Sequence, residues 1–76
     1  MRGTVVELSP GETIRLTRNR LKLSLRDLAQ KSGVSAATIS RMERDYVSTW
    51  KNTCLIADAL NLDTEQIRYR PRGTIQ

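Results

Sequence analysis

Hydrophobic residues recur every three or four positions through most of the chain, which is the spacing of one face of an α-helix. The first such segment opens with Ser9-Pro10, a good N-cap followed by proline at the first helical position. Ile14, Arg18 and Leu21 then lie at i, i+4 and i+7. The pattern predicts a first helix that turns these three positions toward the core.

A second helix is predicted to begin after Ser24, with Asp27 three residues further on in a near capping box. Gly33 should end this helix, because a residue without Cβ adopts the left-handed conformation that closes helices. The predicted inner face consists of Leu25, Leu28 and Ala29.

Ser35 is the predicted N-cap of a third helix, in which Ile39 and Met42 share the inner face. Residues 44–49 then form a loop. Asp45 should lie just past the helix end, where Asp tolerates left-handed geometry better than most residues.

Two further helices complete the pattern. Ser48 or Thr49 caps the fourth helix, Asn61 ends it, and Asp63 begins a short fifth helix. The inner stripe of the fourth helix is predicted to be Trp50, Cys54 or Thr53, Ala57 and Leu60, and the fifth helix is predicted to bury Leu62 and Ile67.

The two ends of the chain depart from the helical pattern. Residues 1–8 include a β-branched run and are interpreted as an N-terminal arm or short strand. Residues 69–76 form a basic C-terminal tail, in which proline and glycine stop any helix. The tail either pairs with the N-terminal segment or is disordered. The remaining residues, 9–68, are predicted to form the folded domain.

Two charged residues fall on inner faces. Glu43 lies between Ile39 and Met42 on a helical wheel, and Arg18 lies on the stripe of the first helix. A lone buried charge is costly, so one of each sign in a small core suggests a buried bidentate ion pair. The alternative is that each side chain reaches solvent at a helix end.

The amino-acid composition limits the classes of function that this chain can have. The chain has 76 residues, enough for one small domain, and its core must be aliphatic because it has no Phe, one Trp and two Tyr. Thirteen Lys and Arg against eight Asp and Glu give a net charge of +5. This excess favours an anionic partner, usually nucleic acid, although a merely solvated basic surface is the alternative.

Catalytic and metal chemistry lack the residues they need. There is no histidine, and the single Cys54 can form neither an internal disulfide nor a zinc site. Cys54 is best interpreted as a core residue, with redox sensing as the alternative. Neither a cofactor nor a metal is expected, and the chain is interpreted as a non-enzyme. With no signal-peptide core and no membrane-length apolar run, it is expected to be cytoplasmic.

Four positions in the predicted second and third helices and the turn between them match a known structural motif. Ala29, Gly33, Val34 and Ile39 have the spacing of a helix-turn-helix, in which a small residue allows close crossing and glycine makes the turn. The stretch LSLRDLAQKSGVSAATISRMER closely resembles the Cro/CI-type, lambda-repressor-like or XRE family, over about residues 11–67. The resemblance implies an all-α, five-helix DNA-binding domain, commonly a dimer on palindromic operators.

The resemblance also implies roles for individual residues. The second helix of the motif, residues 35–44, would lie in the major groove, and some family members have an ion pair at positions matching Arg18 and Glu43. The positions that match base-reading residues are Ala36, Ala37 and Arg41. Phosphate contacts are expected from Ser35, Thr38, Ser40, Arg44, Arg26, Tyr46 and Lys51. Tyr46 could instead cover Met42.

The chain departs from the family pattern at three positions. Leu25 replaces a common glutamine that contacts phosphate, Asp45 replaces a glycine, and Ser48 replaces a common proline.

Two functions remain open at this point. The first is a sequence-specific transcriptional regulator, a repressor, acting on double-stranded DNA as a homodimer. The second is an antitoxin-like or adaptor module that uses the same fold to hold another protein. The expected dimer or partner seam consists of Trp50, Leu62, Ile67 and Tyr69. No membrane contact or small-molecule ligand is indicated.

Overall fold

A computed structural model describes residues 8–68, and this part of the chain contains five helices and no strand. The helices are α1 (Pro10–Arg20), α2 (Leu25–Ser32), α3 (Ala36–Glu43), α4 (Trp50–Leu60) and α5 (Thr64–Ile67). The all-α, five-helix prediction is therefore confirmed for the described part. The predicted arm or strand falls almost wholly on residues 1–7 and the basic tail on residues 69–76, both outside the described residues.

Each of the first four helices begins at a hydroxyl side chain that accepts a backbone hydrogen bond. Ser9 and Ser24 form full capping boxes with Glu12 and Asp27, which satisfy backbone N–H groups that have no partner within the helix. Ser35 and Thr49 cap α3 and α4. The open choice between Ser48 and Thr49 is thus decided for Thr49.

A left-handed residue follows each of the first four helices, and after α1 it is Lys22, with φ of 61°. Gly33 has φ of 83° at the end of α2, Asp45 has φ of 69° after α3, and Asn61 has φ of 58° at the end of α4. All three positions were predicted from residue type, because glycine, aspartate and asparagine adopt this conformation most readily.

The core is aliphatic and is formed by all five helices. Leu28, Ile39 and Ile56 are fully buried, and Ile14 is nearly so. Thr53 rather than Cys54 takes the buried place on α4, and its hydroxyl donates to the carbonyl oxygen of Thr49 at 3.2 Å. Cys54 is half-buried.

Two residues predicted to face inward lie on the surface. Leu21 is 47% exposed because α1 ends at Arg20, so its helical spacing does not continue to that residue. Leu23 packs against the core from the following turn. Trp50 is 55% exposed because it is the first residue of α4, and a helical side chain covers the turn that precedes its own Cα.

One member of the predicted seam is buried instead. Ile67 is 3% exposed, because α5 packs on both α1 and α4 and turns this side chain into the core. The burial predicted for Ile67 in the fifth helix is confirmed, whereas its assignment to a dimer or partner seam is wrong. Leu62, also assigned to the seam, is half-buried and packs against the same core.

The start of α1 lies directly against the end of α3. A Cβ atom placed on Gly11 would lie 2.5 Å from the carbonyl oxygen of Met42 and 2.6 Å from that of Glu43. These neighbours are backbone atoms, which cannot rotate away. Only glycine allows the two helices to approach this closely.

We expect Gly11→Ala to lower the melting temperature. Helix propensity alone would favour alanine by about 1 kcal/mol, whereas overpacking against backbone costs typically about 1–3 kcal/mol. Asn19→Ala, on the exposed side of the same helix, is the matched control and should leave stability equal or slightly higher. Thermal unfolding of both variants measures the difference. A more stable Gly11→Ala protein would show that the close approach carries no constraint.

Candidate nucleic-acid interface

The turn between α2 and α3 has the geometry of a helix-turn-helix. Gly33 closes α2 through a hydrogen bond from its N–H to the carbonyl oxygen of Ala29, at 2.9 Å. Ser35 then adopts an extended conformation and starts α3 in a new direction. Val34 and Ile39 are buried beneath the turn. The outer face of α3 is left in solvent.

A charged pair holds α3 to α1. Nε of Arg18 donates to Oε2 of Glu43 at 2.6 Å, and a second guanidinium nitrogen donates to Oε1 at 3.1 Å. Arg18 also donates to the carbonyl oxygen of Leu23 at 2.8 Å. The side chain of Arg18 is 13% exposed and that of Glu43 is 7% exposed. The two charged residues that were predicted to face inward therefore form one bidentate ion pair. The hydrogen bond to Glu43 raises the pKa of Arg18 despite desolvation by burial.

A second contact joins α1 to the turn that follows α3, and the sequence did not predict it. A carboxylate oxygen of Asp45 accepts a hydrogen bond from the backbone N–H of Gly11 at 2.9 Å. The only signal in the sequence was that Asp45 occupies the position where the resembled family has glycine. Residue type alone could not reveal a partner 34 residues away.

The solvent-facing arc of α3 is formed by Ala37, Arg41 and Arg44, which are all exposed and lie at i, i+4 and i+7. Ala36 is half-buried beside this arc. The arc therefore has short side chains at its N-terminal end and two guanidinium groups toward its C-terminal end. Of the residues expected to read bases, Ala37 and Arg41 are the more accessible.

The hydroxyl groups at the start of α3 serve the cap. The Ser35 hydroxyl accepts from the Thr38 backbone N–H at 3.2 Å and donates to the Thr38 hydroxyl at 2.9 Å. The proton of Ser35 is thus used within the helix, while that of Thr38 remains available to an outside acceptor. Ser40 is half-buried on the next turn, and its backbone carbonyl accepts from Arg44 at 3.4 Å.

The loop after α3 positions one of the two guanidinium groups. The carbon Cζ of Arg44 lies 5.6 Å from the centre of the Tyr46 ring, which is the geometry of a cation–π contact. Tyr46 is exposed, and together with Met42 and Arg41 it borders a shallow, open cavity of about 370 Å³. The cavity is lined by Thr38, Arg41, Met42, Tyr46, Val47, Ser48, Thr49 and Asn52.

The cavity brings together three predicted contact residues, Thr38, Arg41 and Tyr46, and five residues that were not predicted as contacts, among them Val47 and Asn52. Val47 is exposed and Asn52 is half-buried at its wall. Helical periodicity does not predict either residue as a contact, because Val47 lies in a loop and Asn52 lies in the first turn of α4.

Arg26 and Lys51 lie apart from this cluster. Each is the second residue of its helix, α2 and α4 respectively, and each is exposed. Within residues 8–68, no hydrogen bond or ion pair joins either side chain to α3.

Trp50 is the exposed part of the predicted seam. The guanidinium of Arg68 lies 5.9 Å from its ring centre and also pairs with Glu65 at 3.2 Å. Leu62 contributes a half-buried side chain, and Tyr69 lies outside the described residues.

No helix between residues 8 and 68 is long and apolar enough to cross a membrane. The same residues contain no group of three or more His, Cys, Asp or Glu side chains placed to hold a metal ion.

Comparison with known proteins identifies one family. A family model described as helix-turn-helix matches residues 14–67, from the second turn of α1 to the end of α5. No curated protein and no solved structure gives a significant match to the chain.

We expect Arg18→Met to destabilise the fold by about 3 kcal/mol or more, because the buried carboxylate of Glu43 would lose its partner. Glu43→Leu should be similarly costly, whereas the double variant should lose less than the sum of the two. Denaturant unfolding of the parent, both single variants and the double variant gives the coupling energy. An unchanged melting temperature in Arg18→Met would contradict a structural role for the pair.

Proposed function

The chain belongs to the Cro/CI-like, or XRE, helix-turn-helix family of DNA-binding regulatory domains, and from this premise we propose that it is a sequence-specific regulator of transcription. The proposal has α3 in the major groove of double-stranded DNA. The observation that carries it is the outer arc of α3, where Ala37, Arg41 and Arg44 face solvent on a helix anchored from behind by Glu43. A helix held in this way presents its surface as a rigid unit.

Sequence discrimination rests mainly on Arg41. Its guanidinium can donate two parallel hydrogen bonds to O6 and N7 of guanine, the commonest specific contact in the major groove. Ala36 and Ala37 carry only methyl groups, which suit contact with the C5-methyl of thymine and allow the helix backbone to approach the bases. These short side chains place Arg41 within reach of base edges.

Phosphate contacts orient the domain on the duplex. Arg44 is held by the Tyr46 ring near the end of α3, and Thr38 has an available hydroxyl proton near its start. Charge from Arg26 and Lys51, and hydrogen bonds from Ser40 and Tyr46, would extend the contact along the backbone. Ser35 would join them by turning its hydroxyl proton from Thr38 to a phosphate oxygen. The net charge of +5 favours binding, so affinity should fall steeply as salt rises.

The proposed active form is a homodimer that acts as a repressor. One α3 with one discriminating arginine reads only a few base pairs, and two-fold repetition on a palindromic operator doubles the site. The exposed ring of Trp50, with the half-buried Leu62 and with Tyr69, is the surface we assign to the seam. A bound dimer would repress by occupying the operator.

The exposed Trp50 also favours one alternative, an antitoxin-like or adaptor module that binds a partner protein through that surface. The two functions differ in their partners. Stoichiometric co-purification with a second polypeptide, together with weak DNA binding, would favour the adaptor.

We expect selection from a random duplex pool to return one palindromic sequence with half-sites about one helical turn apart. The sequencing of bound duplexes reports half-site, spacing and symmetry together. Equal binding to every duplex at about 0.2 M salt would refute specific regulation, since at that salt nonspecific contacts are weak.

We expect Arg41→Ala and Lys51→Ala to affect binding in different ways. Loss of Arg41 should relax the preference at one base pair per half-site, at a cost of about 1–3 kcal/mol. Loss of Lys51 should weaken binding to all sequences alike and reduce the slope of log affinity against log salt by about 1. Titrations against the selected duplex and single-base variants at several salt concentrations separate the two effects. Identical behaviour of the two variants would exclude base reading by Arg41.

A further inference from the structure

The contact between Asp45 and Gly11 joins the end of the recognition helix α3 to the beginning of α1. Oδ1 of Asp45 accepts the Gly11 N–H at 2.9 Å. Gly11 belongs to the first turn of α1, whose backbone N–H groups have no carbonyl partner within the helix. The positive end of the helix dipole lies at the same place. The carboxylate thus caps α1 from a different part of the chain.

The backbone at Asp45 shows that the contact is maintained against a local preference. Its φ of 69° lies in the left-handed region, which disfavours residues with a Cβ atom. Glycine would adopt the same backbone without strain. Aspartate tolerates this backbone better than most residues, and at Asp45 it also supplies the acceptor for the Gly11 N–H, which glycine could not.

The geometry of the two contacts between α1 and α3 gives this bond a further consequence. Glu43 is attached to Arg18, and Asp45 is attached to Gly11. Gly11 and Arg18 are seven residues apart on α1, or about 10 Å along its axis. Packing of Ile39 and Met42 holds α3 in the core, and two polar attachments that are separated along α1 restrain the direction of its C-terminal end more tightly than one.

The turn that contains Asp45 is also bonded to the residue proposed to read bases. The N–H of Tyr46 donates to the carbonyl oxygen of Arg41 at 3.0 Å, and the N–H of Asp45 donates to that of Met42 at 3.0 Å. A displacement of this turn relative to α1 is therefore transmitted to the backbone of Arg41.

We propose that Asp45 is a positioning residue for DNA recognition: its bond to Gly11 sets the direction of α3 and thereby the reach of Arg41 toward base edges. This inference rests on the proposed function. It makes Asp45 a determinant of sequence specificity although its own side chain faces α1 and contacts no base.

Simple electrostatics predicts a different outcome. Asp45 is a negative charge at the end of the recognition helix, so its removal should strengthen binding to all DNA sequences equally. Under the proposal, loss of the bond weakens binding to the preferred sequence relative to other sequences. The ratio of the two dissociation constants separates the explanations.

The test compares Asp45→Gly and Asp45→Asn in the full chain. Glycine removes the acceptor and also the left-handed strain, so the melting temperature should stay close to that of the parent. Asparagine removes the charge but keeps an acceptor oxygen and tolerates left-handed geometry. Asn61→Gly, at the left-handed end of α4, is the matched control for strain relief.

The dissociation constants are measured for the selected operator and for a random duplex of equal length at one salt concentration. We expect the specificity ratio to fall at least tenfold in Asp45→Gly and to stay within threefold of the parent in Asp45→Asn and Asn61→Gly. A ratio retained in Asp45→Gly would overturn the proposal. An equal loss in Asp45→Asn or in Asn61→Gly would overturn it as well.

A measurement without DNA distinguishes failure of this inference from failure of the proposed function. If the parent prefers no sequence, the proposed regulator is refuted. Residual dipolar couplings of α1 and α3 still report their relative direction in the free protein. An altered or averaged direction in Asp45→Gly, restored in Asp45→Asn, supports positioning by Asp45, and identical couplings in all three proteins would overturn it.

Discussion

The ion pair between Arg18 and Glu43 is the interaction on which the arrangement of helices depends. The core around it is aliphatic, and its largest buried side chains are Ile and Leu, whose packing is tolerant of alternative arrangements. The ion pair, with N–O distances of 2.6 and 3.1 Å, does not tolerate alternative arrangements. Any other packing of α1 against α3 would leave a charge buried without its partner. In a domain of this size, with a small core, such a pair contributes more to the uniqueness of the fold than to its net stability.

The same pair holds in place the helix that is proposed to read DNA. With eight residues, α3 has too few turns to be stable alone, and it buries only Ile39 and Met42. Its position therefore depends on contacts at its two ends. Gly33 and the Ser35 cap set where it begins, while Glu43 and Asp45 attach its C-terminal end to α1. The outer arc of Ala37, Arg41 and Arg44 can remain exposed to solvent because the rest of α3 is held from behind.

Most of the helices could be predicted from the sequence because their ends are chemically marked. Ser9, Ser24 and Ser35 are good caps, and Gly33, Asp45 and Asn61 tolerate left-handed backbone, so each boundary follows from residue type within a few positions. The inward positions of Arg18 and Glu43 followed from helical periodicity. Periodicity failed at helix ends, where Leu21 and Trp50 have no adjacent turn to cover them. The burial predicted for Ile67 is confirmed, and it contradicts the separate assignment of Ile67 to a seam. The roles given to individual DNA-contacting residues remain proposals.

The sequence by itself determined the helix boundaries, the aliphatic core and the outward guanidinium groups, because these depend on interactions between residues a few positions apart. Only the tertiary structure decided that the first turn of α1 meets the last turn of α3. Gly11 is required there by carbonyl oxygens of residues 42 and 43, and its N–H finds its acceptor on Asp45, 34 residues away. Such contacts have no periodicity along the chain. They arise when packing brings a helix N-terminus, with its unpaired donors, to a turn that carries a carboxylate.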